Sequence, residues 1–203
     1  MSSTAIEQLH FTTGDVRVGS FRCPVIHPDF PTAGTIEGYS VCFPRTAVWI
    51  QHADQPAFVA DPRVATIYNR GQPFRRQPLA PDGDRTDWFS VSRELAASIA
   101  ADVDPALAEN PERPFPVPLS PVPSDLYLRQ RLLYRRIASG TIDPLEVEAR
   151  VIALVAEVLA CAVPNRATPR PRRRIAAQRE AIEAVRAELA KSPFARVTIR
   201  SLA

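Results

Sequence analysis

Residues 38–53 read GYSVCFPRTAVWIQHA, and this run of β-branched and aromatic residues decides the fold class. It contains two strand-like pieces, and Pro44 between them belongs at a strand end or edge because it cannot donate a ladder hydrogen bond. Similar runs, bounded by Gly, Pro, Asp and Asn, continue on both sides at 15–23, 56–61, 64–69, 73–77 and 84–91. Many short strands at close spacing predict an antiparallel sandwich or small barrel.

After the last strand the periodicity changes and predicts helices. Ser92 is expected to cap a helix that ends near residue 101. Residues 102–123 contain seven prolines and predict an extended loop. Two further helices are expected, one capped by Ser124 or Asp125 and one capped by Asp143 with a proline in its first turn. Their short connection predicts antiparallel packing.

The charge of the chain is divided unevenly between its body and its C-terminal end. The 203 residues carry a formal net charge of +3 at pH 7. Residues 164–203 hold ten Lys and Arg against three Asp and Glu, whereas residues 1–163 hold fifteen against nineteen. A polyanionic partner is therefore expected at the basic end.

The composition is typical of a cytoplasmic protein. Three cysteines are too few and too scattered for a disulfide framework. The first ten residues, MSSTAIEQLH, lack the positive and apolar regions of a signal peptide. The longest apolar run, residues 151–163, is too short to span a bilayer and predicts a buried helix.

The last forty residues predict a basic linker followed by helices. Residues 164–174 read PNRATPRPRRR, in which Arg172, Arg173 and Arg174 are candidates for contacts with DNA phosphates. A solvated linker explains the same composition. Thr198 is expected to cap a second helix. Before it, an apolar stripe at helical spacing predicts an amphipathic helix carrying Ile175, Ile182, Val185 and Leu189.

This C-terminal stretch resembles the start of the DNA-binding region of AraC-type transcriptional regulators. The resemblance lies in a scaffold helix, a short turn and a helix that opens with Thr198, Leu202 and Ala203 in a T-x-x-x-L-A pattern. In that family the next helix reads the major groove. We therefore expect the chain to end inside a DNA-binding domain, after its first helix.

The middle of the chain resembles the sensor domains of one branch of the same family. The matching phrases are GYSVCFPRTAVWIQ (38–51), FVADPRVATIYNRGQPFRR (58–76) and DGDRTDWFSVS (82–92). The resemblance implies an α+β chain, with a cupin-like antiparallel β-barrel followed by an antiparallel helical pair and a C-terminal helix. The implied domains are a sensor barrel (1–101), a proline-rich loop with a dimerising helical pair (102–163), an Arg/Pro linker (164–174) and the start of the DNA-binding domain (175–203).

The resemblance further implies an unknown small-molecule effector in the barrel, a homodimer formed by the helices, and DNA bound only by the full-length protein. An effector pocket is apolar and aromatic with a few polar anchors. The candidates are Trp49, His52, Tyr68, Phe74, Arg75 and Trp88. The candidates for dimerisation are the apolar stripes Leu126, Leu133, Ile137, Val151, Leu154 and Val158.

The pleat of the last strand places Trp88 on one face with Thr86 and Ser90. Phe89 and its neighbours occupy the other face. Pattern alone leaves open which face turns inward.

The sequence lacks the residues of a metal-dependent cupin enzyme. Such a site needs a His-x-His pair and a late His, whereas Phe74 occupies the late position and His52 has no His two residues away. No G-x-S-x-G elbow or glycine-rich phosphate loop occurs. We expect no enzyme activity, cofactor or metal. Two alternatives stay open, a stand-alone cupin enzyme and a thiol- or zinc-responsive sensor built on Cys23, His27 and Cys42.

Overall fold

The computed structural model describes residues 6–30, 33–53, 55–79, 81–163, 182–187 and 189–191. The strands are β1 (Ile6–Thr12), β2 (Val16–Cys23), β3 (Gly34–Thr35), β4 (Tyr39–Pro44), β5 (Val48–His52), β6 (Phe58–Ala60), β7 (Val64–Tyr68), β8 (Pro73–Pro78), β9 (Asp84–Val91) and β10 (Leu119–Pro121). The helices are α1 (Arg93–Val103), α2 (Ser124–Ala138) and α3 (Pro144–Ala162), with a 3-10 turn at Pro105–Glu109. Residues 182–187 and 189–191 are also helical and are called the tail segment below.

Every strand pair in these ranges is antiparallel, and the strands form two sheets. The larger sheet has the order β1-β2-β9-β4-β7-β10, and the smaller sheet has the order β3-β8-β5-β6. The α+β class and the antiparallel pairing expected from the sequence are confirmed. β9 lies in the middle of the larger sheet and pairs with β2 along Asp84–Val91 and with β4 along Thr86–Val91.

The inner strands of the larger sheet are covered on both faces. In β9, Phe89 and Val91 pack with helix residues in the main hydrophobic core. Thr86, Trp88 and Ser90 face the smaller sheet across a cavity. The same alternation buries β4 along its whole length, which explains why that strand has an almost continuously apolar sequence rather than an alternating one.

Of the four expected helix caps, Thr198 lies outside the described residues, and two of the other three are present. The side chains of Ser92 and Asp143 accept hydrogen bonds from backbone N–H groups in the first turns of α1 and α3. The cap expected at Ser124 or Asp125 is wrong, because α2 already begins at Ser124 after Pro123, and no side chain accepts a hydrogen bond there. None of the helices in the described ranges has the length and hydropathy needed to cross a bilayer.

The proline-rich stretch 102–123 is more ordered than the expected loop. It contains the 3-10 turn and β10, which adds to the edge of β7. Asn69 anchors the stretch by bonding both backbone groups of Phe115, donating from Nδ2 to its carbonyl at 2.8 Å and accepting its N–H at 3.1 Å. Ser120 donates its hydroxyl to the carbonyl of Val158 at 2.8 Å and so ties β10 to α3.

The six residues expected to form a dimer surface are buried inside the single chain. Each is at most 7% exposed, and all belong to the core between the helices and the larger sheet, namely Leu126, Leu133, Ile137, Val151, Leu154 and Val158. Their assignment to an interface is therefore corrected, since the sheet already covers both apolar stripes. The homodimer stays a prediction, and the exposed apolar residues of α2 are Leu128 and Leu132.

Leu132 and Leu133 are adjacent in α2, but the first lies on the surface and the second in the core. Leu133→Ala removes a side chain that is 7% exposed and is expected to lower the free energy of unfolding by about 2–5 kcal/mol. Leu132→Ala, at a position 52% exposed, should change it by less than about 0.5 kcal/mol. Urea unfolding followed by circular dichroism measures both. Equal losses in the two variants would contradict this placement of α2.

Candidate functional site

A cavity of about 350 Å³ lies between the two sheets. Its walls come from every second residue of the strands, because the pleat turns alternate side chains toward the opposite sheet. The larger sheet supplies Thr66, Tyr68 and Trp88 among others, and the smaller sheet supplies Ile50 and Ala60. The volume lies within the range of small-molecule sites in proteins.

Three of the six residues expected in an effector pocket line this cavity, namely Tyr68, Phe74 and Trp88. Trp49 does not, because it alternates with the inward-facing Val48 and Ile50 and lies half-buried on the outer face of β5.

Arg75 is exposed, and its neighbour Arg76 takes the inward position. The expectation for Arg75 is therefore corrected by one residue. The signal was available in the sequence, since Arg76 and not Arg75 shares the strand face of Phe74.

Arg76 is held at the cavity by a buried ion pair. Its guanidinium lies 3.2 Å from the Asp84 carboxylate, and the side chains of both residues are less than 10% exposed. Arg76 also donates to the carbonyls of Phe30 at 3.1 Å and of Asp29 at 3.4 Å, and it stacks on the ring of Phe21 at 4.7 Å. Burial raises the pKa of Asp84, although the charge of Arg76 opposes the rise.

His52 is fully buried and does not line the cavity. Its ring lies between Phe58 and Tyr68, with centroid distances of 5.7 and 4.6 Å. The side-chain amide of Gln72 donates to Nδ1 at 2.8 Å, so the neutral ring carries its proton on Nε2, which has no partner among the described residues. Burial lowers the pKa of His52 to about 4 and keeps the ring neutral at pH 7.

The described residues do not assemble a metal or thiol site at Cys23, His27 and Cys42. No group of three or more His, Cys, Asp or Glu side chains in these ranges is arranged to hold a metal ion. Cys23 and Cys42 are buried free thiols, and burial raises the pKa of both. Protonated thiols are poor nucleophiles and metal ligands.

The tail segment packs on β6, the edge strand of the smaller sheet. Glu183 accepts the backbone N–H of Val59 at 2.6 Å. Arg186 lies 3.1 Å from the Asp61 carboxylate and donates to Glu183 at 2.9 Å. Arg63 donates to the second oxygen of Asp61 at 2.8 Å. The contact is thus a chain of four alternating charges that ends on a backbone N–H group.

This contact is shielded from water and involves residues that the sequence pattern did not single out. Glu183 is 8% exposed and Val59 is fully buried, whereas Ile182, from the expected apolar stripe, is 50% exposed. Burial opposes the ionised form of Asp61, yet the hydrogen bonds from Arg63 and the charge of Arg186 outweigh it and hold the pKa of Asp61 below its usual range. The candidate DNA contacts Arg172, Arg173 and Arg174 lie outside the described residues.

Comparison with known proteins identifies relatives of the fold. No protein-family model and no curated protein matches the sequence. The crystal structure of apo ToxT K231A from Vibrio cholerae is similar over 94% of this chain and 70% of its own, with 6% identity and a TM-score of 0.52. This chain shares the fold of ToxT. At this identity, the likeness concerns the fold alone.

Two further solved structures show weaker likeness. The AraC-like transcriptional activator CuxR is 15% identical over 90% of this chain, with a TM-score of 0.46, and this chain spans 64% of its length. A cupin family protein with a double-stranded β-helix fold from Methanocaldococcus jannaschii is 10% identical over 44% of this chain and 81% of its own, with a TM-score of 0.37.

The buried His52 predicts a loss of stability in mild acid. Its pKa falls from 6.5 to about 4 on folding, so protonation favours the unfolded chain. Its contribution to stability is complete above pH 6.5 and is lost as the pH falls toward 4, by about 3 kcal/mol in all. His52→Gln keeps an acceptor for Gln72 and should flatten the dependence of unfolding free energy on pH in this window. An unchanged pH profile would show that His52 does not titrate in the folded protein as described.

The Glu183 contact predicts local protection of one amide. Glu183→Ala leaves the Val59 N–H without its carboxylate acceptor, and its hydrogen exchange should accelerate by roughly ten-fold or more. Glu157→Ala is the control, because Glu157 is in an exposed ion pair with Arg129 on the helical layer. Residue-resolved exchange by NMR measures both. Equal protection of Val59 in wild type and Glu183→Ala would refute the docking of the tail segment.

Proposed function

We propose that this chain is the sensor part of an AraC-type transcriptional regulator, with an effector-binding cavity and the start of a DNA-binding domain. The phrases at 38–51, 58–76 and 82–92 and the T-x-x-x-L-A pattern at Thr198 support the family. The fold shared with ToxT agrees with it. In this proposal, the basic residues 164–203 belong to the part of the protein that approaches DNA.

The observation that carries the proposal is the position of β6 between the cavity and the tail segment. Ala60 lines the cavity, while its neighbours Val59 and Asp61 bind Glu183 and Arg186. A strand of three residues cannot adjust to a ligand on one face without altering its contacts on the other, since packed interiors transmit small displacements.

The proposed mechanism is a population shift. The tail segment is either docked or released, and the effector binds these two states with different free energies. Binding therefore shifts the equilibrium between them by that difference. The orientation of the DNA-binding domains follows from that balance. In the proposed homodimer, this orientation determines how the two DNA-binding domains bind two half-sites.

Catalysis is not favoured by the described residues. The cavity has no group of three metal-ligating side chains within the described ranges. Its ion pair, Arg76 with Asp84, is engaged internally and offers neither a free base nor a free acid. The thiol of Cys42, which lines the cavity, is kept protonated by burial, which raises its pKa.

The proposal is tested by a metabolite screen on the whole chain. A cognate effector at 100 times its Kd should raise the free energy of unfolding by about 2.7 kcal/mol. It should fail to stabilise Cys42→Phe, in which a larger side chain occupies the cavity. Hydrogen exchange of the peptide covering residues 182–191 should change on binding in wild type. A ligand that stabilises the chain through the cavity without altering that exchange would disprove the sensing mechanism.

A further inference from the structure

The cavity has an aromatic lining with neutral polar groups. Phe21, Tyr68, Phe74 and Trp88 contribute aromatic rings to the lining. Burial raises the pKa of the Tyr68 phenol and of the Cys42 thiol, so both are uncharged at neutral pH. A ligand in this space meets ring faces and edges, together with hydroxyl and thiol groups.

The buried charge in the wall is already compensated. Arg76 and Asp84 neutralise each other at 3.2 Å. Nε and Nη2 of Arg76 donate to the backbone carbonyls of Phe30 and Asp29, and Thr86 donates to the second carboxylate oxygen of Asp84 at 2.9 Å. A charged ligand therefore finds no free counter-charge among the described residues of the inner wall, and burial without a counter-charge is costly.

The outer part of the lining also disfavours an anion. Arg17 lies there with Glu7 and Glu37, so carboxylates outnumber the guanidinium group. The Arg17 side chain is 46% exposed and lies 3.9 Å from Glu37. Arg17 also stacks 5.8 Å from the centre of the Trp88 ring, so its positive charge is engaged by both the ring and Glu37.

One hydrogen-bond donor in the lining has no acceptor among the described residues. Trp88 is 8% exposed, and its indole Nε1 is buried without an acceptor among the described residues. Buried polar groups are nearly always hydrogen-bonded, so an unpaired one calls for a partner. The ring lies directly against β2, because a Cβ added at Gly19 would come within 2.3 Å of its Cζ2 atom. Only glycine allows the indole to sit so close to that strand.

We propose that the cavity binds an uncharged aromatic ligand whose carbonyl oxygen accepts a hydrogen bond from Nε1 of Trp88. This inference rests on the proposed effector site and specifies its chemistry. The aromatic walls provide the affinity, the compensated ion pair excludes charge, and the indole N–H selects for one acceptor.

Four phenyl compounds of nearly equal size test the assignment on the whole chain, namely acetophenone, cumene, benzoate and benzamidinium. Acetophenone should bind about five-fold more tightly than cumene, which lacks the acceptor. The two ions should bind more weakly than either. In Trp88→Phe, the preference for acetophenone over cumene should disappear.

The indole N–H signal gives a second readout that does not require Trp88→Phe to fold. The chain has two tryptophans, and Trp49→Phe leaves Trp88 as the source of a single indole cross-peak in a ¹⁵N–¹H spectrum. Acetophenone should shift its proton downfield, and cumene should shift it less. Trp49→Phe alone should leave the acetophenone Kd unchanged, because Trp49 lies on the outer face of β5.

The possible outcomes separate the ligand class from the function. Tighter binding of benzoate or benzamidinium overturns the uncharged class but leaves an effector cavity. Equal binding of acetophenone and cumene in wild type, with no downfield indole shift, overturns the role of Trp88. Absence of binding by all four compounds up to their solubility overturns the ligand class, whereas the effector site is decided separately by the metabolite screen described above.

Discussion

In the larger sheet, the inner strands β4 and β7 are buried on both faces along their whole length, and the rest of the structure depends on this constraint. Each of its central strands supplies one row of side chains to the helices and another to the cavity. The carboxylates buried there, Asp84 and Asp87, therefore have charged partners. Asp87, which is 2% exposed on the helix side, meets Arg131 and Gln130 of α2 and Arg45 before β5. Ion pairs and a hydrogen bond, as well as apolar packing, thus hold α2 against the larger sheet.

The positions of most strands could be predicted from the sequence because turn residues separate one short apolar run from the next. The expected run 84–91 coincides with β9, and the run 73–77 differs from β8 by one residue. β1 and β3 were not anticipated, since the apolar residues of β1 do not alternate regularly across its register shift between Leu9 and Phe11, and β3 has only two residues. β10 was missed because it lies among prolines and depends on a distant partner in β7. Local composition does not reveal pairing of that kind.

The site was predictable in part, and the errors have physical causes. Aromatic character pointed to Tyr68, Phe74 and Trp88, which line the cavity. It also pointed to Trp49, because side-chain type carries no information on which strand face turns inward. The helical stripes were recognised, yet amphipathicity does not distinguish a sheet from a second protomer as the covering surface. Glu183 was overlooked because a buried carboxylate on a helix has no signature before its backbone partner is known.

The contact between Glu183 and Val59 has a consequence for self-association. β6 pairs with β5 on one side, and its other edge has the N–H of Val59 that the carboxylate engages. Phe58, Val59 and Ala60 are fully buried. An uncovered edge with an apolar sequence recruits strands from neighbouring molecules. In molecules whose tail segment is released, this edge becomes a template for intermolecular β-pairing, so the segment proposed to report on the cavity also protects the chain against aggregation.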